Sequence, residues 1–269
     1  MDMTSLAISP CPNDTFAFHA LVHGKVAGAP PVSTDYADID VLNTWAAKGS
    51  HDLVKVSYGA LPWLLDDYAL LPSGGALGRG CGPLVVTRPG RSDLAGARVA
   101  VPGERTTAYL LFRLWAAGAG EVVIAPFDTI MPSVRDGSVD AGLIIHESRF
   151  TYPSFGLVAL VDLGDWWEAR TGLPIPLGAI LVRRTLDAAA WGNAVRASVE
   201  AAWADPAAST DYVRAHALEM DEAVTRAHID LYVNSFTADL GDEGYAAVTA
   251  LLTESAAAGL TPALDRPLR

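Results

Sequence analysis

Cysteine is scarce in this sequence, with two thiols, Cys11 and Cys81, in 269 residues. Two cysteines so far apart supply neither the short-spaced ligand pairs of a zinc ribbon nor the disulfide framework of a small secreted domain. Each lies in a tight loop, Pro10-Cys11-Pro12 and Gly80-Cys81-Gly82. They read as free thiols of a reducing compartment, with a single disulfide as the alternative. No neighbouring residue offers either one a thiolate-stabilising partner, so neither is expected to act as a nucleophile. Basic charge is also short: 19 Lys and Arg stand against 31 Asp and Glu, a formal net charge of −12. Nucleic acids and anionic membranes both need a basic face, and neither is expected as a partner. No apolar run is long enough to span a bilayer. The opening residues, MDMTSLAISPCPND, lack the basic and apolar segments of a secretory signal. The expected location is the cytoplasm.

What is present is a folded-domain composition, 51% hydrophobic and 19% charged, in a chain long enough for two cores. Thr4 to Ser9 reads as a strand that breaks at Pro10-Cys11-Pro12, after which Asn13 or Asp14 caps a helix to about Val22. A second strand is expected over Asp35–Leu42 with a short helix to Ala47. A third covers Asp52–Val56, and Ser57 is placed to cap the helix carrying Leu61, Leu64 and Leu65. Alternating strands and helices imply an α/β fold with mixed, mainly parallel sheets flanked by helices. The glycine-dense stretch Leu71–Gly82 reads as loop, and it precedes a strand where a dinucleotide fingerprint would follow one.

Two runs echo each other, GPLVVTR at Gly82–Arg88 and GAILVRR at Gly178–Arg184. As a pair of crossings between lobes, they imply a larger lobe of 1–87 and 178–269 with 88–177 inserted as a smaller one. Within the insert, strands are expected at Ala97–Val101, Glu121–Ala125 and Leu157–Leu163, and long alanine-rich helices follow Arg184.

The stretch Ala141–Phe150, AGLIIHESRF, is a buried-strand pattern ending at His146. Open α/β folds place ligands at the carboxyl ends of strands, so a proton-transfer group there is a candidate base. Other strand ends supply Asn13, Lys55 to Ser57, and Thr106-Thr107 at the start of a helix, where exposed amides suit a carboxylate. Lys55 can orient an anion or pair with a neighbouring carboxylate. Ordinary capping is the alternative for the threonines. A cleft between lobes would gather these groups around a small-molecule carboxylate substrate. His19 and His23 are four apart on the first helix, but no third ligand is evident and no metal is expected. His51, His216 and His228 read as solvated.

Several strings together resemble one family. They are SPCPNDTF at Ser9–Phe16, HALV at His19–Val22, KVSYGAL at Lys55–Leu61, TTA at Thr106–Ala108 and IHESRFTY from Ile145. They look like the 1,4-dihydroxy-6-naphthoate synthases of the futalosine route to menaquinone, over Ser9 to about Val182. That resemblance implies a two-lobed fold of the periplasmic-binding-protein type (type II), with its ligand cleft between the lobes, serving an enzyme. It also implies cleavage of cyclic dehypoxanthinyl futalosine to 1,4-dihydroxy-6-naphthoate with loss of a three-carbon fragment. The family's catalytic base falls on His146, and its substrate-contacting segments fall on Lys55, Val56, Ser57 and on Thr106 and Thr107. Asn13 joins Ser57 as a candidate oxyanion donor. No cofactor is required by this chemistry. A solute receptor of the same fold and the sister enzyme chorismate dehydratase are the alternatives.

Overall fold

The computed structural model describes residues 3–217 and 221–268. The chain opens with β1 (Thr4–Ile8) and α1 (Pro12–Val22), then β2 (Val32–Tyr36) and α2 (Ile39–Ala47), then β3 (Leu53–Ser57) and a 3-10 turn at Tyr58–Trp63. Two short strands follow, β4 (Tyr68–Leu70) and β5 (Ala76–Gly78). Next come β6 (Leu84–Thr87), β7 (Arg98–Val101), α3 (Thr107–Trp115), β8 (Glu121–Ile124), α4 (Phe127–Asp136) and β9 (Ala141–Ile144). After α5 (Ser148–Thr151), β10 (Val158–Asp162) and α6 (Leu163–Thr171), the long strand β11 (Ile175–Arg183) returns the chain. The remaining α-helices are α7 (Ala188–Ala204), α8 (Thr210–His216), α9 (Glu222–Tyr232), α10 (Ser235–Ala238) and α11 (Gly241–Ala257).

The strands form two mixed sheets. The first has the order β2-β1-β3-β11-β4, with β5 also on β11. β1 runs parallel to β2 and β3, while β11 is antiparallel to β3, β4 and β5. In the second sheet, β10-β6-β9-β7-β8, β7 is parallel to β8 and β9, and β6 is antiparallel to β9 and β10. Parallel pairing thus holds within the strand-helix repeats of each half. Antiparallel pairing enters at β6 and β11, beside the points where the chain changes sheet.

That topology moves the expected lobe boundary. Leu84–Thr87 pairs residue for residue with Ile144–Ala141 in the second sheet, so this run belongs to the insert and not to the larger lobe. The two echoing runs are therefore not crossings: the chain leaves the first sheet after Gly78 and returns at Ile175. Apolar pattern alone cannot assign a strand to one of two buried sheets, because the hydrogen-bonding partner decides.

Three local expectations also shift. Ile39 to Leu42 lies in α2 because Ile39, Leu42, Asn43 and Ala46 fall on one face of a helix, and Leu42, Asn43 and Ala46 are buried. Ser57 stands at the N-cap position after β3 but makes no side-chain cap bond; Gly59 N donates to Thr107 Oγ1, and Asn43 engages the Ser57 hydroxyl. The Asn43 side chain bonds both Ser57 N and Ser57 Oγ, and Pro62, which lacks an N–H, sits in the 3-10 turn that follows. Within the glycine-rich stretch, Ala76–Gly78 forms a short strand on β11.

Helix α1 is buried along nearly its whole length, wrapped by α7, α8 and α9. Ser198 fastens it, accepting from Leu21 N (3.1 Å) and donating to Ala17 O (2.7 Å). Where the chain passes between sheets, Gly82 and Gly164 lie backbone against backbone, and a Cβ at Gly82 would collide with Gly164 N and Cα. We expect Gly82→Ala to destabilise the fold by about 1–3 kcal/mol, because main chain cannot move aside as a side chain can. Urea denaturation checks this, and an unchanged midpoint would refute the packing role of the pair.

Candidate functional site

The carboxyl ends of β1, β3 and β9 and the start of α3 converge on a cleft between the sheets. Two adjoining cavities, of about 80 and about 280 Å³, share Ile39, Ile145 and His146 in their walls. The smaller is lined by Asn13, Lys55, Ser57, Thr106, Thr107 and His228 among others, and the larger by Cys11, Asp38, Asp40, Phe127 and Glu147 among others.

His146 follows the last residues of β9 and turns the chain into α5. Among the described residues it is the only non-glycine with a positive φ, +55°. A left-handed conformation at a histidine costs of order 1–3 kcal/mol and persists only where surrounding structure enforces it. Its ring packs edge-on to Phe127, with centroids 5.4 Å apart, and Nδ1 lies 3.4 Å from Cys11 Sγ. Burial lowers its pKa, and Lys55 acts in the same direction, while Glu147 and Asp14 oppose them. The imidazole is therefore neutral at pH 7, with one ring nitrogen carrying a lone pair.

A buried polar chain backs this residue. Lys55, on a strand otherwise apolar except for Ser57, directs its ammonium to Asp14 Oδ1. Gly178 on β11 makes room for it, since a Cβ there would stand 2.7 Å from Lys55 Cε. Asp14 Oδ2 accepts from Ser9 N (3.2 Å) and Ser9 Oγ (2.7 Å). Asn13 Nδ2 donates to Asp14 Oδ1 (2.9 Å), which turns Asn13 Oδ1 toward His228 Nε2 at 2.9 Å. An amide oxygen only accepts, so His228 carries its proton on Nε2 and presents a bare Nδ1. That Nδ1 is buried without a hydrogen-bond partner, and burial drives the His228 pKa down to about 3. The His146 and His228 rings lie nearly parallel, 9° apart in plane and 6.4 Å between centroids.

The site residues expected from sequence divide as follows. His146, Asn13, Lys55, Ser57, Thr106 and Thr107 all line the smaller cavity. Val56, between Lys55 and Ser57, instead packs in the apolar core on the opposite side of the strand. Thr106 caps α3, accepting from Tyr109 N (3.1 Å) and donating to Gly103 O (2.8 Å). Thr107 Oγ1 ties the halves together: it donates to Leu177 O (2.7 Å) and accepts from Gly59 N (3.0 Å). Asn43 Nδ2 donates to Ser57 Oγ (3.1 Å), and Asn43 Oδ1 accepts from Ser57 N (2.8 Å), so the Ser57 hydroxyl proton is left for an acceptor in the cleft.

Asn43 and His228 were not legible as site residues. His228 is 1% exposed and His51 is also buried, contrary to the solvated reading of both. The available signal at His228 was its i,i+4 spacing to Tyr232, which places both on the buried face of α9. Cys11 and Cys81 are free thiols, and burial pushes the Cys81 thiol up to about 12. The Cys11 thiol is raised well above its ordinary value, chiefly by burial and next by Glu147. Cys11, His146 and Glu147 each bring a potential ligand atom within 4.8 Å of the others, and Glu147 Oε2 is buried without a hydrogen-bond partner. Among the described residues, no helix is long and apolar enough to cross a membrane.

Residues 4–257 match a family model described as menaquinone biosynthesis. Over its length the chain is similar to a protein of Streptomyces coelicolor named 1,4-dihydroxy-6-naphtoate synthase, 62% identical over 98% of this chain and 96% of that one. It is also similar to a Thermus thermophilus protein of the same name, 53% identical over 100% of this chain and 99% of the relative. The two-lobed fold is that of the periplasmic binding proteins. The periplasmic aliphatic sulphonate binding protein SsuA of Escherichia coli superposes with a TM-score of 0.68 at 14% identity, over 98% of this chain and 91% of that one.

Proposed function

The chain belongs to the menaquinone-biosynthesis family, and we propose that within it this protein is a carbon-carbon lyase with His146 as its general base. The proposed substrate is cyclic dehypoxanthinyl futalosine, cleaved to 1,4-dihydroxy-6-naphthoate and a three-carbon fragment. The observation that carries the reading is an imidazole held in a strained backbone conformation at the meeting point of two cavities between the lobes, where burial lowers its pKa. The names carried by relatives support the product, a 1,4-dihydroxy-6-naphthoate, and the family resemblance of the sequence motifs implies the substrate.

His146 takes a proton from a substrate hydroxyl. As the O–H electrons form a carbonyl, the adjacent carbon-carbon bond breaks, and its electrons pass to a second carbonyl as an enolate. The substrate itself accepts those electrons, and formation of an aromatic ring drives the step, so the chemistry asks for no electron-carrying cofactor. Ser57 Oγ, its proton freed by Asn43, donates to the substrate carboxylate, together with the Thr107 and Ala108 amides at the start of α3, which the Thr106 cap leaves over. His228 Nδ1 accepts from a substrate hydroxyl, and Asn13 fixes its tautomer. The Lys55–Asp14 pair positions Asn13, whose Nδ2 donates to Asp14 Oδ1.

The base works only when deprotonated, and burial lowers its pKa. kcat/KM is therefore expected to be level above about pH 7.5 and to fall about tenfold per pH unit on an acid limb centred below the ordinary histidine value of about 6.5. Steady-state assays with cyclic dehypoxanthinyl futalosine between pH 4.5 and 8 test this. A limb centred above pH 7 would remove His146 as the base.

A further inference from the structure

Three chemically different donors meet at the mouth of the cleft, and two of them come from the opposite lobe to the third. Cys11 follows β1, whereas His146 and Glu147 follow β9. Cys11 Sγ stands 3.4 Å from His146 Nδ1, and one ligand atom from each residue lies within 4.8 Å of the other two. Zinc bonds of about 2.0–2.3 Å place tetrahedral ligand atoms somewhat less than 4 Å apart, so a modest contraction closes the set. Glu147 is 8% exposed, and its buried Oε2 has no hydrogen-bond partner, a cost that a cation would remove. The larger cavity opens onto all three residues, and Asp38 and Asp40 in its wall add negative potential along the way in.

We propose that Cys11, His146 and Glu147 form a site for a soft divalent cation, zinc above all, whose occupation shuts the enzyme down. A mixed thiolate, imidazole and carboxylate set favours zinc over magnesium or calcium, which take oxygen ligands. On binding, the Cys11 thiol gives its proton to solvent and the sulfur-metal bond replaces it. The neutral His146 imidazole has one lone pair, and the metal takes it, so no base remains for the substrate hydroxyl. The same ion joins Cys11 of one lobe to His146 and Glu147 of the other, which holds the cleft in one position. The inhibitory consequence rests on His146 being the base; the binding site itself does not.

Cobalt(II) tests the site without reference to turnover, because thiolate ligation gives a near-ultraviolet charge-transfer band that oxygen and nitrogen ligands do not. Metal-free protein titrated with cobalt should develop this band at one equivalent. Cys11→Ser should abolish the band and weaken zinc binding at least about 100-fold, and Glu147→Gln at least about 10-fold. His23→Ala, which alters the separate His19-His23 pair, should change neither. Zinc should inhibit turnover with the same stoichiometry, and a chelator should reverse it. A missing band, or equal zinc affinity in wild type, Cys11→Ser and Glu147→Gln, would overturn the site. A band with turnover undiminished by zinc would overturn the inhibition. A band in a protein that never converts substrate would leave the site standing and remove the catalytic reading. Should Cys11→Ser fail to fold, Glu147→Gln carries the same comparison.

Discussion

His146→Ala should fold and bind ligand normally while losing about 10²–10⁴-fold in turnover, the range that a positioned general base contributes. Truncation removes the ring's contact with Cys11 Sγ and its packing on Phe127, neither of which involves a backbone hydrogen bond of the strand end. The expected signature is a fall in kcat with little change in KM, because the imidazole acts on a proton that moves only in the transition state. Steady-state kinetics with thermal unfolding as a folding control measure it. Turnover within a few-fold of wild type would exclude this histidine as the base.

Asp14→Ala should cost the fold heavily. Asp14 is 1% exposed and Lys55 5%, so removing the carboxylate strands a buried ammonium. It also deprives Ser9 N, Ser9 Oγ and Asn13 Nδ2 of their acceptor. Breaking a buried pair from one side costs about 3–5 kcal/mol, much of a typical domain's total stability of about 5–15 kcal/mol. Lys55→Met should cost less, because the carboxylate keeps its three other donors. Guanidinium denaturation of both variants provides the comparison. A loss under about 1 kcal/mol for Asp14→Ala would mean the pair contributes little to the fold.

The legible parts of the site are those that sit at strand ends. His146, Lys55, Ser57 and the Thr106-Thr107 turn could be placed because an apolar run stops there and a polar group begins, a pattern local in sequence. Asn43, His228 and the role of Cys11 were hidden because each acts through a partner far along the chain. Asn43 holds Ser57, His228 meets Asn13, and Cys11 meets His146. No local pattern announces such a pair: His228 lies among charged residues on α9 and looks solvated until Asn13 and Tyr232 are seen to cover it. The strand misplaced at Asp35–Leu42 has a different cause. Its alternation of apolar and acidic residues fits period two over a few positions, and only the spacing of Ile39, Leu42, Asn43 and Ala46 shows the helix. At β6 the pattern was right and the sheet was wrong, since two buried sheets impose the same composition on their strands.

The fold is shared with proteins that bind solutes, so the sharpest division is between binding a ligand and breaking one. Purified protein incubated with cyclic dehypoxanthinyl futalosine, followed by mass analysis of the mixture, separates the two. The account predicts equimolar 1,4-dihydroxy-6-naphthoate and a three-carbon fragment, formed about 10²–10⁴-fold faster by wild type than by His146→Ala. Recovery of bound but intact substrate from the wild-type protein would contradict it.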